Sequence, residues 1–223
     1  MKTSFLRVGL PVLVWTLSFA SQTFAGPITV NNPSFETVGG GGLPFLCGTG
    51  CSFSNDSVIP GWTTVGPAGL FRPGPPANTT YFNTVPDGVT IAYSDNGTIS
   101  QTVAPAVQLG VVYTLMVSLG VRKDLGSDPG TEALLINGIA YIATGVAPTA
   151  GNWSTFTATY TGLAADVGLP ITIRLATTGV EGDWDNVVLN STAGTATPEP
   201  AVGALIGLVL LAWAGITRHK SRA

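Results

Sequence analysis

Between Ile28 and Asn190 the chain has no helical period of useful length. It has repeated two-residue alternation, and that decides what it can fold into. Val111, Tyr113, Leu115, Val117 and Leu119 are apolar with Thr114 and Ser118 between them, although Val112 and Met116 blur the other face. Ile171, Ile173 and Leu175 alternate with Thr172, Arg174 and Ala176. Phe156, Ala158 and Tyr160 alternate with Thr155, Thr157, Thr159 and Thr161. A strand sends successive side chains to opposite faces, so this pattern describes half-buried strands, and the β-branched enrichment agrees. Shorter strands are expected over 28–30, 89–93, 98–103, 133–136, 139–143 and 185–189. Asp95-Asn96-Gly97, Asp128-Pro129-Gly130, Asn137-Gly138 and Val180-Glu181-Gly182-Asp183 supply turns between them. Asn137-Gly138 predicts a tight hairpin, because both central residues of such a turn need positive φ. Eight or nine short strands with no helices between them predict an all-β sandwich or jelly roll, not a βαβ sheet. The stretches 39–55 and 66–80 read as loops.

Composition supports a globular body. Charged residues are 9%, against roughly 25% in an ordinary domain, while hydrophobic residues are 45%. That excludes a charge-rich disordered chain and a coiled coil. The basic residues crowd the ends. Between Gly26 and Thr197 only Arg72, Arg122, Lys123 and Arg174 face eleven acids, an excess of seven negative charges. A phosphate backbone would repel such a body, so no nucleic-acid partner is expected.

Both ends read as addresses. Lys2 and Arg7 precede a 13-residue uncharged run, 8–20, followed by small residues around Ala20 and Ala25. This predicts a secretory signal peptide over 1–25. A short membrane anchor is the alternative, although the run is short for a span. At the other end 201–217 is 17 uncharged, mostly apolar residues, followed by Arg218, His219, Lys220 and Arg222. As a helix it would be about 25 Å long, enough for one short transmembrane span with the basic tail held in the cytoplasm. A small, polar segment, 191–197, reads as a linker, and Pro198-Glu199-Pro200 stands just before the span. This tripartite end, 198–223, resembles the PEP-CTERM sorting signal. The resemblance implies a Gram-negative bacterium and export through the inner membrane. It also implies an exosortase-type processing enzyme as partner, and a transient membrane anchor before release to the cell surface or the extracellular matrix. A plain C-terminal anchor is the alternative.

The body, 26–190, carries a second resemblance. Asn31-Asn32-Pro33-Ser34-Phe35-Glu36 and Ile59-Pro60-Gly61-Trp62 stand near its start, and Asp183-Trp184-Asp185-Asn186-Val187-Val188-Leu189 near its end. Pro86-Asp87-Gly88, Ile99-Ser100-Gln101-Thr102 and Tyr113-Thr114-Leu115 lie between. This order resembles the galactose-binding-like jelly roll, as in carbohydrate-binding modules of the family 4/9/22 type. The resemblance implies that the Phe-Glu strand and the Asp-Asn-Val strand lie side by side as the first and last of the domain. It also implies a structural Ca²⁺ near them, with Glu36 and Asp185 at the matching positions. Calcium takes six to eight oxygen ligands, which carboxylates and carbonyls can supply. Solvated or capping carboxylates are the other reading of the same two residues, and no EF-hand loop is present.

Cys47 and Cys51 are the only cysteines, and in an exported chain a disulfide is the first reading. A two-thiolate metal site is the alternative but lacks partner ligands. The one histidine is His219, so the body cannot build a Ser-His-Asp or Cys-His site or a His-ligated catalytic zinc. Paired-carboxylate hydrolysis survives, with Asp87, Asp95, Asp124, Asp128 and Glu132 near expected loops. A glycan site would pair aromatic faces with polar groups; Phe71 and Phe82 are loop candidates, and the residues expected at the site are Trp62, Arg72, Tyr81, Arg122 and Trp184. Arg122 could also simply pair with Asp124, and Trp62 has a plain reading as core. The expectation is therefore a non-enzymatic surface or matrix protein that binds glycan or exopolysaccharide. A purely structural or adhesive protein is the alternative, and a carboxylate-dependent glycoside hydrolase comes behind it.

Overall fold

The computed structural model describes residues 25–74, 80–125 and 130–194. The expected signal peptide up to residue 24, Pro198-Glu199-Pro200, the span 201–217 and the basic tail lie outside the described residues. The elements are β1 (Gly26–Ile28), β2 (Phe45–Gly48), β3 (Cys51–Phe53), β4 (Thr63–Val65), β5 (Ala68–Arg72), β6 (Ile91–Ser94) and β7 (Thr98–Val103). They continue as β8 (Val112–Gly120), β9 (Thr131–Ile136), β10 (Ile139–Ile142), β11 (Trp153–Thr161), β12 (Ile171–Ala176) and β13 (Gly182–Thr192). A single 3-10 turn, Ala164–Asp166, precedes β12. No helix among the described residues is long and apolar enough to cross a membrane.

The strands form two antiparallel sheets, a jelly-roll β-sandwich. The larger runs β11-β8-β13-β6-β5-β3-β2 with β1 added against β13, and the smaller runs β10-β9-β12-β7-β4. All nine expected strands are present. The Asn137-Gly138 turn takes φ of 52° and 76° and sets Ile136 opposite Ile139, as the hairpin chemistry requires. The alternating residues behave as read: Tyr113, Leu115, Val117 and Leu119 of β8 and Ile171, Ile173 and Leu175 of β12 all lie in the inter-sheet core.

Three expectations need correction. The stretches 39–55 and 66–80, read as loops, hold β2, β3 and β5, which extend the larger sheet beyond β6. Their sequences are short, glycine-rich and without a long period, so the hydrogen-bonding edge offered by β6 decides their structure, not local propensity. The first strand is β1, not the Phe35-Glu36 segment. Phe35 has φ of 56° in a turn, and that turn is tied to β13 by Val187 N–H donating to Pro33 O at 2.9 Å. β13 also runs on through Thr192, two residues into the segment read as linker.

Candidate functional site

Strand alternation gives the larger sheet a second apolar surface. Leu70 and Ala92 point into the inter-sheet core, whereas Phe71, Ile91 and Tyr93 point out of the sandwich. Such a surface must be covered. Phe82 packs on it against Trp153, with ring centroids 4.6 Å apart. The segment carrying Phe82 is held by Asn83 N–H donating to Gly151 O at 2.8 Å. Lys123 N–H, in turn, donates to Tyr81 O at 3.0 Å, and Trp153 Nε1 to Thr84 O at 2.8 Å. What remains uncovered is a pocket of about 230 Å³ lined by Cys47, Phe53, Phe71, Tyr81, Tyr93, Asp95, Arg122 and Glu181. Its walls come from β2, β3, β5 and β6, and its charged rim from the loops after β6 and β8 and before β13.

The Cys47–Cys51 disulfide is present and closes the β2–β3 hairpin. Tyr81 donates its hydroxyl to Cys47 O at 3.0 Å, and its ring meets Phe71 edge-on at 5.2 Å. The disulfide therefore anchors one wall of the pocket as well as the edge of the sheet. Its loop is short, so its removal should cost only about 2 kcal/mol of stability. We expect Cys47→Ser/Cys51→Ser to melt a few degrees lower and to weaken binding in the pocket, because the residue-47 carbonyl that accepts from Tyr81 is no longer held in place by the bridge. Paired melting and binding measurements check this.

Arg122 organises the charges. Its Nε and Nη2 donate to the two oxygens of Asp124 at 2.9 and 2.6 Å, and its Nη1 donates to Glu181 Oε1 at 2.6 Å. The guanidinium lies over Tyr81 and Phe71, 4.7 and 5.1 Å from the ring centroids. Burial works against this charge, but Asp124 and Glu181 outweigh it and hold Arg122 above its ordinary pKa. Beneath the rim Asp183 is 2% exposed, with the Glu181 carboxylate close enough for its charge to act on it. Burial pushes both carboxyls up, Asp183 far the more. Asp183 Oδ1 has no hydrogen-bond partner.

Of the five residues expected at a glycan site, the structure brings Tyr81 and Arg122 together in this pocket. The salt bridge read between Arg122 and Asp124 is also there. The other three stand elsewhere. Trp62 lies in the inter-sheet core beside Phe35, centroids 5.3 Å apart, and donates Nε1–H to Asn32 O at 3.1 Å. Trp184 is wholly buried in the same core and donates Nε1–H to Glu132 Oε1 at 2.7 Å. Arg72 follows Phe71 on β5, so alternation turns it away from the pocket. Glu132, read near a loop, is buried in β9 and is no partner for a surface carboxylate. Phe53, Tyr93 and Glu181 are lining residues that sequence reasoning missed, whereas Phe71 stands among its loop aromatics and Asp95 among its loop carboxylates. The outward positions of Phe53 and Phe71 become legible only once β3 and β5 are known to be strands.

The expected calcium ligands, Glu36 and Asp185, do not line the pocket. Glu36 Oε1 accepts from Val89 and Thr90 N–H at 2.8 and 2.6 Å. Asp185 is fully buried and accepts from Asp87 and Asn186 N–H at 2.9 and 2.7 Å. Burial pushes the Asp185 carboxyl up to about 7 despite these two amides, and the nearby charges of Asp87 and Glu36 push the same way. Among the described residues no group of three or more His, Cys, Asp or Glu side chains is placed to hold a metal ion.

An all-β jelly roll with an aromatic-walled, acid-rimmed pocket on the outer face of its larger sheet is the class that fold and site define. The chain belongs to the HpiC1-like family, described as HpiC1 cyclase, whose match covers residues 26–190. No curated protein matches it by sequence. Among solved structures it is similar to the CBM22-1–GH10 modules of Clostridium thermocellum endo-1,4-beta-D-xylanase 10B complexed with xylohexaose. The identity is 18% over 67% of this chain and the TM-score 0.44, and the match spans only 30% of that structure. It is also similar to the CBM22-1 xylan-binding domain of Paenibacillus barcinonensis Xyn10C (13% identity, 60% of this chain and 87% of that one, TM-score 0.40). A third is TmCBM61 in complex with beta-1,4-galactotriose (16% identity, 73% and 97%, TM-score 0.34).

Proposed function

We propose that this chain is a non-catalytic, glycan-binding surface or matrix protein, exported and then sorted by an exosortase-type enzyme, and that the outer-face pocket is its binding site. The observation that carries the reading is the pocket lining: the rings of Phe53, Phe71 and Tyr81 beside the fixed polar groups of Asp95, Arg122 and Glu181. A sugar offers C–H faces to rings and hydroxyls to charged groups, and this lining matches both. The volume of about 230 Å³ suits one sugar unit at a chain end more than a long oligomer. Export is supported by the basic and apolar N-terminal run, by the Pro-Glu-Pro, span and basic tail, and by the disulfide, which belongs in an oxidising compartment. A glycan array probed with the protein and with Tyr81→Ala tests the binding. Saturable signals lost in the variant support it, whereas a silent array with a folded sample favours the purely structural role.

Calcium belongs to the same proposal. Glu36 and Asp185 would hold it, and the donors are hard oxygens close enough for the Glu36 charge to act on Asp185. Such an ion would relieve that repulsion and tie the start of the domain to its last strand. We expect calcium to raise the melting temperature, chelator to reverse the rise, and Glu36→Gln to abolish it. No response to calcium in thermal melts removes the ion from the reading.

Family membership favours one second reading, a cyclase. On this reading Asp183, which burial and the Glu181 charge push well above the ordinary carboxyl range, would be the proton carrier next to the aromatic walls. It could protonate an unsaturated substrate and recover a proton as the ring closes, consuming no co-reactant. Aromatic faces would stabilise the cation between those steps. Asp183→Asn separates the readings: glycan affinity survives it, and turnover of a cyclisable substrate does not.

A further inference from the structure

The charges around the pocket do not balance. Arg122 is the cation of its lining, and its guanidinium is already engaged by Asp124 and Glu181 and by the faces of Tyr81 and Phe71. Asp95 is left over. Its backbone N–H is fixed by Pro67 O at 3.1 Å, but among the described residues its carboxylate has neither a hydrogen bond nor a salt bridge. Asp183 adds a second open position: its Oδ1 is unpartnered although the residue is 2% exposed, and its neighbour across the strand pair is Tyr93, which lines the pocket. Unmatched carboxylate oxygens beside aromatic rings form an environment that attracts a cation twice over, by charge and by ring quadrupole, and repels an anion.

We propose that the pocket selects a ligand bearing a protonated primary amine, with Asp95 as its counter-ion and the Tyr81 and Tyr93 rings as its walls. This rests on the glycan reading above, and on that reading the preferred ligand is an amino sugar with a free amine, ahead of its N-acetylated form and of acidic sugars. The ammonium group donates three hydrogen bonds, enough to engage Asp95 and a hydroxyl or carboxyl neighbour together.

The test is calorimetric titration of the full chain in detergent with three probes: glucosamine trimer, N-acetylglucosamine trimer and putrescine. We expect glucosamine trimer to bind at least about tenfold more tightly than the acetylated trimer, the difference one well-placed ion pair can make. That advantage should shrink at high salt, which requires no variant. Asp95→Asn should bring the two trimers to equal affinity, and a melting curve matching the parent's shows that the turn is intact. Equal binding of the two trimers overturns the amine inference and leaves the glycan reading standing. Silence from both trimers with tight putrescine binding keeps the ammonium site and overturns the sugar reading. Silence from all three probes overturns both.

Discussion

Raising the pH from 4.5 to above 7 should remove about 3 kcal/mol of folding stability through a single side chain, Glu132. Glu132 sits on β9 facing the inter-sheet core, 1% exposed, with Trp184 Nε1–H donating to its Oε1. Burial is the main influence and raises its pKa to about 7. The Trp184 hydrogen bond and its own backbone amide act in the opposite direction and do not compensate. In the unfolded chain the same carboxyl titrates near 4.5. Between these values the folded state holds a proton that the unfolded state has released, so stability falls as pH rises through the window. Below 4.5 both states are protonated and the contribution is whole; above 7 it is gone. Asp185, also raised to about 7, adds a slope of the same sign in metal-free protein. Denaturant unfolding across this range in the presence of chelator should show the decline. Glu132→Gln, whose amide oxygen can still accept from Trp184, should remove its share, and Asp185→Asn the remainder. A parent protein equally stable at both ends of the range would show that neither carboxyl is buried as described.

How much of this was legible in the sequence depends on where structure is decided locally. The nine alternating strands were readable because each buries one face, and period two records that directly. The Asn137-Gly138 hairpin was readable because positive φ at two successive positions has a residue signature. β2, β3 and β5 were not. Gly69 on β5 shows why: a Cβ there would sit 2.0 Å from Ser54 O. This glycine is required by the close approach of the chain at Ser54, which lies far off in sequence, and from sequence alone it reads as a loop breaker. The site suffered the same fate. Trp62 and Trp184 looked like platforms because they are large and stand near turns, yet both are core residues whose indole N–H groups found internal partners. Two of the rings that do face the pocket, Phe53 and Phe71, are on the strands that could not be seen. Tyr81 and Arg122 were found because they lie in loops beside well-predicted strands. Asp95 was visible as part of a turn signal and as one of several loop carboxylates.

Replacing Arg122 by lysine should be nearly as damaging as replacing it by alanine, although lysine keeps the charge. Three of the guanidinium nitrogens are used: two on Asp124 and one on Glu181. Its flat faces also lie against two rings. A lysine ammonium is a single point with no plane to stack, and it cannot reach both oxygens of Asp124 and also Glu181 in that fork. Glu181, whose side chain is only 10% exposed, would be left with the Asp183 pair and without its cation. Breaking a largely buried ion pair by removing one partner typically costs about 3 kcal/mol or more, because the remaining charge stays desolvated. Partial exposure of Asp124 keeps Arg122→Lys toward the lower end of that cost, and Arg122→Ala, which also opens the packing over Phe71 and Tyr81, toward the upper end. Both variants should lose ligand binding, since the wall formed by Tyr81 and the position of Glu181 depend on this one side chain. Melting curves with parallel calorimetric titrations measure the two effects. A lysine variant with parent-like stability and affinity would mean that Arg122 acts only as a positive charge and that its fork and stacking contribute nothing.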